Sequence, residues 1–266
     1  MKIALGTVQF GLDYGISNTT GKITPEMAAE ILSFAAGNGI DTLDTAQAYG
    51  SAEEELGKHD LSGFKIVTKL FDDGVLETSL QRLNVSHVYA AMFHRENQVN
   101  DKTWAYFESL KAQKLTSKIG VSVYSPDVLA DLAERYPLDI VQLPMNILDL
   151  RFLPLLKRLK EKGVEIHTRS AFLQGLIFID PEQLDPYFDD LKPALNAIPS
   201  PKLNSALHCL KQIVEIDKIV VGVTNRQNLA EICEAYRAPE ATGVCLQQLA
   251  IQDERFINPV NWPKKG

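Results

Sequence analysis

Four side chains that can serve acid–base chemistry follow or end short apolar runs of the sequence. Asp44, Lys69 and His94 each end such a run, and Tyr49 stands five residues after Asp44. A phenol can donate a proton, a neighbouring ammonium favours phenolate, a carboxylate compensates the ammonium, and an imidazole can donate a hydrogen bond to a carbonyl oxygen. Together they predict reduction of a carbonyl group by hydride transfer, which requires a nicotinamide cofactor because none of these side chains is redox-active.

The spacing of these residues indicates a repeated structural unit. The intervals from Asp44 to Lys69 and from Lys69 to His94 are both 25 residues, a length that accommodates one strand, one helix and two loops. Five further apolar runs continue the pattern, so we expect eight strands. The runs that predict them are 2–7, 40–44, 65–69, 87–94, 118–122, 139–142, 164–168 and 218–221.

Helical patterns lie between these strands. The first covers 25–36 behind Thr24 as N-cap, and the second covers 75–83. Further patterns cover 102–113, 127–135, 151–162 and 225–236. Strands that alternate with helices over this length favour an α/β fold, a single-domain parallel (β/α)8 TIM barrel, in which reacting side chains follow the C-terminal ends of the strands.

Composition and charge exclude several classes of function. Of 266 residues, 45% are apolar and 23% are charged, which is typical of a globular protein with a large core. A net charge of -7 argues against a nucleic-acid partner, and no stretch has the length and apolarity of a membrane span. The N-terminus lacks the pattern of a signal peptide, so we expect a cytoplasmic protein. The spacing of Cys209, Cys233, Cys245 and the five histidines predicts no metal site.

Two segments carry a family resemblance. The segment from Gly39 to Gly50, which reads GIDTLDTAQAYG, resembles the aldo-keto reductases, and Lys69 and His94 extend the match. The segment from Leu5 to Gly15 is similar to bacterial members associated with surface-sugar or small-aldehyde metabolism. The resemblance runs nearly end to end.

The resemblance implies a role for each of the four side chains. Tyr49 would be the general acid, Asp44 and Lys69 the pair that tunes it, and His94 the residue that orients the carbonyl group. Taken singly, the same residues have other interpretations. Asp44 could cap a helix near residue 51, Lys69 could lie on the surface, and His94 could be a core histidine.

The resemblance also implies the cofactor contacts. Ser122 and Gln142 would bind the nicotinamide carboxamide, although Val123 replaces the asparagine that usually follows the serine. Arg169 stands where the family has an aromatic residue that stacks on the nicotinamide. A guanidinium can also stack, can attract the pyrophosphate or an acidic substrate, or can form a salt bridge at the barrel rim. The expected cofactor-binding residues are Gly6, Thr7, Asp44, Ser122, Gln142, Arg169, Ser170, Phe172, Gly175, Gly222, Val223, Thr224, Arg226 and Asn228.

The stretch 221–231 should receive the adenosine phosphate end of the cofactor. It follows the eighth strand and opens a helix, where barrels often bind phosphate through backbone N–H groups. Val221 or Gly222 occupies the usual lysine position, and Arg226 is the nearby cation. NADP(H) is therefore expected over NAD(H) on the family resemblance alone.

The substrate must be recognised by loops. Phe10, Tyr14, Arg95 and Asn146 are the expected substrate-binding residues for a small carbonyl or sugar-like compound. The interval from Thr168 to Val221 is 53 residues, about twice the others, and predicts a long loop over about 172–199. Such a loop can close over the cofactor or be a structural excursion with a short helix.

The predicted function is NAD(P)H-dependent reduction of an aldehyde or ketone, or the reverse reaction on an alcohol or sugar lactol. Two alternatives belong to other classes. One is a regulatory module that binds nicotinamide with little turnover, and the other is a barrel lyase that forms a Schiff base through Lys69.

Overall fold

Eight parallel strands form a closed barrel, as the sequence predicts. The computed structural model describes residues 1–71, 74–239 and 248–263. The strands are β1 (Ile3–Gly6), β2 (Thr42–Asp44), β3 (Lys65–Leu70), β4 (Val88–Phe93), β5 (Thr116–Ser122), β6 (Ile140–Pro144), β7 (Glu165–Arg169) and β8 (Lys218–Gly222). Each strand pairs with its neighbours in sequence, and β8 closes the barrel against β1, where Gly6 is in register with Gly222.

Helices surround the barrel. Their bounds are α1 (Val8–Gly11), α2 (Pro25–Gly37), α3 (Ala52–Leu56), α4 (Leu76–Leu83), α5 (Asp101–Ala112), α6 (Pro126–Arg135), α7 (Leu153–Glu161), α8 (Lys192–Ala197), α9 (Lys202–Lys211), α10 (Arg226–Arg237) and α11 (Glu254–Ile257). The α2 helix begins as predicted, because the Thr24 hydroxyl accepts a hydrogen bond from the Met27 N–H and Pro25 occupies the first turn.

Alternation along the strands separates two layers of apolar side chains. In β3, Ile66 and Leu70 belong to the large core between strands and helices, whereas Val67 belongs to a small cluster inside the barrel. The other buried members of that small cluster are Ala90, Met92 and Ile140. Because side chains of a strand alternate in direction, Lys69 follows Val67 on the inner face and reaches the mouth of the barrel.

The long connection between β7 and β8 has local structure. It contains 3₁₀ helices at Leu173–Phe178, Pro181–Gln183 and Pro186–Leu191, followed by α8 and α9. The side chains of Asp180 and Asp185 cap two of these turns. Tyr187 packs edge-on against Phe256, with ring centroids 5.8 Å apart, so the connection is anchored on the C-terminal segment.

The structure also describes two of the three cysteines and bears on metal sites and membrane spans. Cys209 and Cys233 are buried free thiols, and burial raises the pKa of Cys209 to about 12. Cys245 lies outside the described residues. Among the described residues, no cluster could hold a metal ion. Within that same part of the chain, no helix combines the length and apolarity that crossing a membrane requires.

Candidate active site

Asp44 and Lys69 form a buried ion pair at the barrel mouth. The Lys69 Nζ donates to both carboxylate oxygens of Asp44 at 2.7 Å and to the Thr45 carbonyl at 2.9 Å. Gln142 Nε2 donates to Asp44 Oδ2 at 2.6 Å. Burial lowers the pKa of Lys69, and the Asp44 carboxylate opposes that shift. Because all three ammonium protons are engaged, the position of the amine is fixed.

Tyr49 lies on the loop that follows β2, with its ring beside this pair. The Lys69 Nζ is 5.3 Å from the centroid of the Tyr49 ring. The sequence suggested that the ammonium would favour phenolate. In the structure, burial and then the Asp44 carboxylate dominate, and they raise the pKa of Tyr49 above its ordinary value. The phenol is therefore held in its protonated form, which is the form that can donate a proton.

Two glycines let the Tyr49 loop lie directly on α1. A Cβ on Gly11 would stand 1.7 Å from the Tyr49 carbonyl oxygen, and a Cβ on Gly50 would stand 2.6 Å from the Gly11 carbonyl oxygen. Gly50 also has φ of +57°, which favours glycine. This backbone contact sets the height at which Tyr49 enters the barrel mouth.

His94 follows β4 and stands between two aromatic rings. Its ring is edge-on to Tyr49, with centroids 5.9 Å apart, and to Phe71, with centroids 5.5 Å apart. The His94 Nδ1 is buried and has no hydrogen-bond partner among the described residues. Burial, followed by the positive charges of Lys69 and Arg169, lowers the pKa of His94 to about 3. The imidazole is therefore neutral near pH 7 and can donate one hydrogen bond.

One cavity of about 920 Å³ joins these side chains at the C-terminal ends of the strands. Most of the residues expected from the sequence line it. These are Gly6, Thr7, Tyr14, Asp44, Tyr49, Lys69, His94, Ser122, Gln142, Arg169, Ser170, Phe172, Gly175, Gly222, Val223, Thr224 and Asn228. Its volume lies at the upper end of the range for small-molecule pockets, about 300–1,000 Å³.

Four expected residues lie elsewhere. Phe10 is fully buried in the core, and Asn146 is buried with its Nδ2 donating to the Ser170 carbonyl. The Arg95 guanidinium lies over the Phe71 ring at 5.2 Å, and that of Arg226 lies over Phe34 at 5.1 Å. None of these four is among the residues that line the cavity.

The cavity also includes residues that we did not single out from the sequence. Gln9, Ser17, Tyr124 and Gln174 line it. Tyr124 follows β5 by two residues and Gln9 follows β1 by three, so position after a strand was the available signal. The buried Gln9 Oε1 has no partner among the described residues.

The residues present fit a nicotinamide dinucleotide. Gln142 Oε1 is buried without a hydrogen-bond partner among the described residues, so it is available as an acceptor for a carboxamide N–H. At the end of β8, Gly222 exposes its backbone to the cavity, and a Cβ there would stand 2.8 Å from the end of the Gln9 side chain. The α10 helix begins beside it, with the Asn225 side chain accepting from the Asn228 N–H at 2.8 Å.

Comparison with known proteins identifies the family and agrees with the barrel fold. The model of the aldo/keto reductase family matches residues 2–250. An aldo-keto reductase from Bacillus halodurans is similar in fold, with 21% identity, 94% of this chain and 92% of that chain covered, and a TM-score of 0.76 for its holo form. Its apo form gives a TM-score of 0.72 at 20% identity and the same coverage.

One curated relative is a longer protein than this chain. The L-galactose dehydrogenase of Arabidopsis thaliana is 24% identical over 220 residues, which covers 74% of this chain and 66% of that protein. The chain thus spans slightly less than two thirds of the length of this relative.

Proposed function

Because this chain belongs to the aldo/keto reductase family, we propose that it is an NAD(P)H-dependent oxidoreductase that reduces an aldehyde or ketone, or oxidises an alcohol or sugar lactol in reverse. The observation that carries the proposal is the buried Lys69–Asp44 pair beside Tyr49 and His94 in one cavity. An ion pair so deeply buried needs a reason beyond stability, since two apolar residues would often serve the core as well.

Each of the four side chains has a defined task in this reaction. When bound, the nicotinamide supplies a hydride to the carbonyl carbon. Tyr49 donates its proton to the carbonyl oxygen, and the neutral His94 imidazole donates a hydrogen bond to the same oxygen. Lys69 places a positive charge beside the Tyr49 ring, where it stabilises the negative charge left on the phenol oxygen. Asp44 holds the ammonium in place.

Two groups of residues in the cavity would bind the cofactor, one at its nicotinamide and one at its phosphates. Ser122 Oγ and Gln142 Oε1 would hold the nicotinamide carboxamide. The backbone of 222–224 and the N-terminus of α10 would hold phosphate, since helix N-termini present free N–H groups.

The choice between NADP(H) and NAD(H) depends on a cation at the adenosine end. The family resemblance favours NADP(H), whose 2′-phosphate needs such a cation. In the described part of the chain, however, Arg226 lies over Phe34 and outside the cavity, while Glu231 lines it. We infer that NAD(H) binds at least as tightly as NADP(H). Tighter binding of NADPH that is lost in Arg226→Ala would contradict this inference.

The first test combines binding with turnover. The purified protein would be titrated with NADH and NADPH by fluorescence, and turnover on a panel of aldehydes would be compared for wild type and Tyr49→Phe. We expect Tyr49→Phe to lower kcat by a factor on the order of 10²–10⁴, the usual contribution of a general acid, with the cofactor Kd unchanged.

A matched control separates chemistry from structure. Tyr106→Phe removes a hydroxyl that accepts a hydrogen bond from the Leu76 N–H outside the cavity, so it should leave kcat near the wild-type value. Equal turnover by Tyr49→Phe and wild type would refute the assigned role of Tyr49. Cofactor binding without turnover of any aldehyde would favour the regulatory module instead.

The Schiff-base alternative conflicts with the geometry of Lys69. A nucleophilic amine needs a free lone pair. The Lys69 Nζ instead donates to Asp44 Oδ1, Asp44 Oδ2 and the Thr45 carbonyl, all within 2.9 Å. Borohydride should therefore trap no adduct on Lys69.

A further inference from the structure

We propose that Arg169, together with the hydroxyl groups of Tyr14 and Tyr124, binds a carboxylate of the substrate, so that the enzyme acts on carbonyl compounds that also carry an acid group. This inference rests on the proposed reductase function and adds the class of substrate. Arg169 stands at the C-terminal end of β7, and all three side chains line the same cavity as Tyr49 and His94.

The Arg169 guanidinium is held in one orientation. Its carbon lies 3.9 Å from the centroid of the Tyr124 ring, which is close enough for stacking. Nη2 donates to the Val123 carbonyl at 3.0 Å, and Nε and Nη1 approach the hydroxyls of Ser122 and Ser170 at 3.4 Å each. A guanidinium has five N–H groups, so one on each terminal nitrogen remains for a ligand, as bidentate binding of a carboxylate requires.

The charge of Arg169 has no carboxylate partner in the described part of the chain. The salt bridges found there pair other arginines, such as Arg151 with Asp149 and Arg158 with Glu134. The rim salt bridge that we considered for Arg169 is therefore not formed by those residues. Glu96 is an acidic group that feels this charge, since burial raises the pKa of Glu96 and Arg169 acts against that shift, but no ion pair between the two forms in the described part of the chain. A half-buried cation outside an ion pair is costly, and an anionic ligand would lower that cost.

The carboxylates that line the cavity do not serve as ion-pair partners of Arg169. Asp44 already binds Lys69 and Gln142, and Glu231 of α10 is not among the ion-pair partners of Arg169 in the described part of the chain. A ligand carboxylate would thus meet a guanidinium that no carboxylate lining the cavity pairs with.

Arg169 also lies near the reacting groups. Its positive charge contributes to the lowered pKa of His94 and acts against the raised pKa of Tyr49. Desolvation raises the pKa of Tyr14 to about 12, so its hydroxyl is protonated near pH 7 and can donate a hydrogen bond. A guanidinium and two phenols beside the carbonyl site make a donor-rich surface that matches a carboxylate.

The test compares an acid with its neutral counterpart. Wild type, Arg169→Met and Arg158→Met would be assayed with 4-carboxybenzaldehyde and with its methyl ester. We expect wild type to prefer the acid. Arg169→Met should lower the ratio of kcat/KM for the acid to kcat/KM for the ester by about 10- to 100-fold, the loss of a charge-assisted hydrogen bond, chiefly through KM for the acid. Arg158→Met removes an arginine that pairs with Glu134 outside the cavity and should behave as wild type.

Binding measurements separate this inference from the reductase proposal. The NADH and NADPH Kd values of Arg169→Met should match those of wild type. Calorimetric titration with 4-carboxybenzyl alcohol should show binding to wild type that Arg169→Met loses, whether or not either aldehyde is turned over. Equal losses for acid and ester, a weakened cofactor Kd, or no Arg169-dependent binding of the acid would overturn the inference.

Discussion

The Tyr49 phenol is held in its protonated form, which is the form that carbonyl reduction requires in the proposed mechanism. The sequence correctly suggested which residues lie beside Tyr49, because neighbouring strands of a parallel barrel bring their C-terminal ends together. It could not give the sign of the pKa shift. That sign depends on the depth of burial and on the Asp44 charge, and together they favour the phenol.

A pH profile tests these two protonation states. Since the pKa of Tyr49 is raised, kcat/KM for carbonyl reduction should stay flat from pH 6 through about pH 10, where a phenol of ordinary pKa would already be half ionised. Alcohol oxidation, which needs the phenolate, should increase as the pH rises. Because the pKa of His94 is lowered to about 3, neither profile should show a step near pH 6.5 that His94→Gln abolishes. Such a step would show that His94 titrates in the working range.

The four residues suggested by the sequence that do not line the cavity lie in loops, in the one-turn helix α1 and at the start of α10. Strand ends are easier to place, because side chains alternate along a strand, and Asp44, Lys69 and His94 line the cavity. Phe10 lies in the one-turn helix α1, whose short length gives no periodicity from which to infer that its ring enters the core. Arg226 is the first residue of α10, and the direction of its side chain depends on Phe34 of another helix.

At the scale of elements, α1 acts as the support for the loop that carries Tyr49. Each of the two family-like segments of the sequence contains one of these glycines, Gly11 in the first and Gly50 in the second, but the sequence gives no reason for them. The structure supplies the reason, since each glycine allows a backbone contact that a Cβ would block. The contact joins elements that are about 40 residues apart in the chain, so no local pattern could reveal it.

Substitution of Gly11 by alanine should therefore impair catalysis more than cofactor binding. The added Cβ would stand 1.7 Å from the Tyr49 carbonyl oxygen, so the loop must move. Misplacement of a reacting group by about 1 Å can lower a rate by about 10²-fold. We expect kcat of Gly11→Ala to fall by about that factor, measured with a fixed aldehyde at saturating cofactor.

Gly63→Ala is the matched control, because a Cβ at Gly63 would meet nothing within 4 Å. Its kcat and thermal midpoint should equal those of wild type. If Gly11→Ala retained full kcat, the support of Tyr49 by α1 would be disproved.

The length of the connection from β7 to β8 could be read from the sequence, but its packing could not. The interval predicted a long segment, with a short helix in it as one of two alternatives, and the structure has three 3₁₀ helices, α8 and α9 there. The Asp-Pro pairs at 180–181 and 185–186 were the local signal, since aspartate caps and proline opens a helical turn. Packing of this segment on Phe256 depends on the C-terminal residues, which lie about 70 positions away.

At the scale of the whole molecule, each end of the barrel has its own group of charged side chains. The C-terminal end holds the candidate active site. At the N-terminal end, Glu165 of β7 accepts from the Tyr89 hydroxyl at 2.6 Å, lies 2.7 Å from His167 Nε2 and pairs with Lys118. Residues at this face of such barrels serve stability rather than catalysis.

Glu165→Gln should thus destabilise the protein without changing its kinetics. Burial alone would raise the pKa of Glu165, but hydrogen bonds from His167, Lys118 and Tyr89 outweigh it and hold that pKa below its ordinary value. Loss of this charge-assisted network should lower the free energy of unfolding by about 2 kcal/mol, which lowers Tm by about 4–8 °C for a protein of this size. KM and kcat should match wild type, as measured by thermal denaturation and steady-state assays.

The pH dependence of that loss tests its electrostatic origin. A carboxyl group whose folded-state pKa is depressed contributes stability that is full above its unfolded pKa, ordinarily 4.5, and that disappears as pH falls through the folded value. The difference in Tm between wild type and Glu165→Gln should therefore be full at pH 7 and shrink below pH 4.5. Glu134→Gln removes a half-exposed carboxylate that pairs with Lys162 and Arg158, and it should lower Tm by much less than Glu165→Gln at pH 7, since exposed ion pairs contribute little to stability. A Tm difference for Glu165→Gln that does not vary with pH would indicate that side-chain packing, rather than charge, stabilises this end of the barrel.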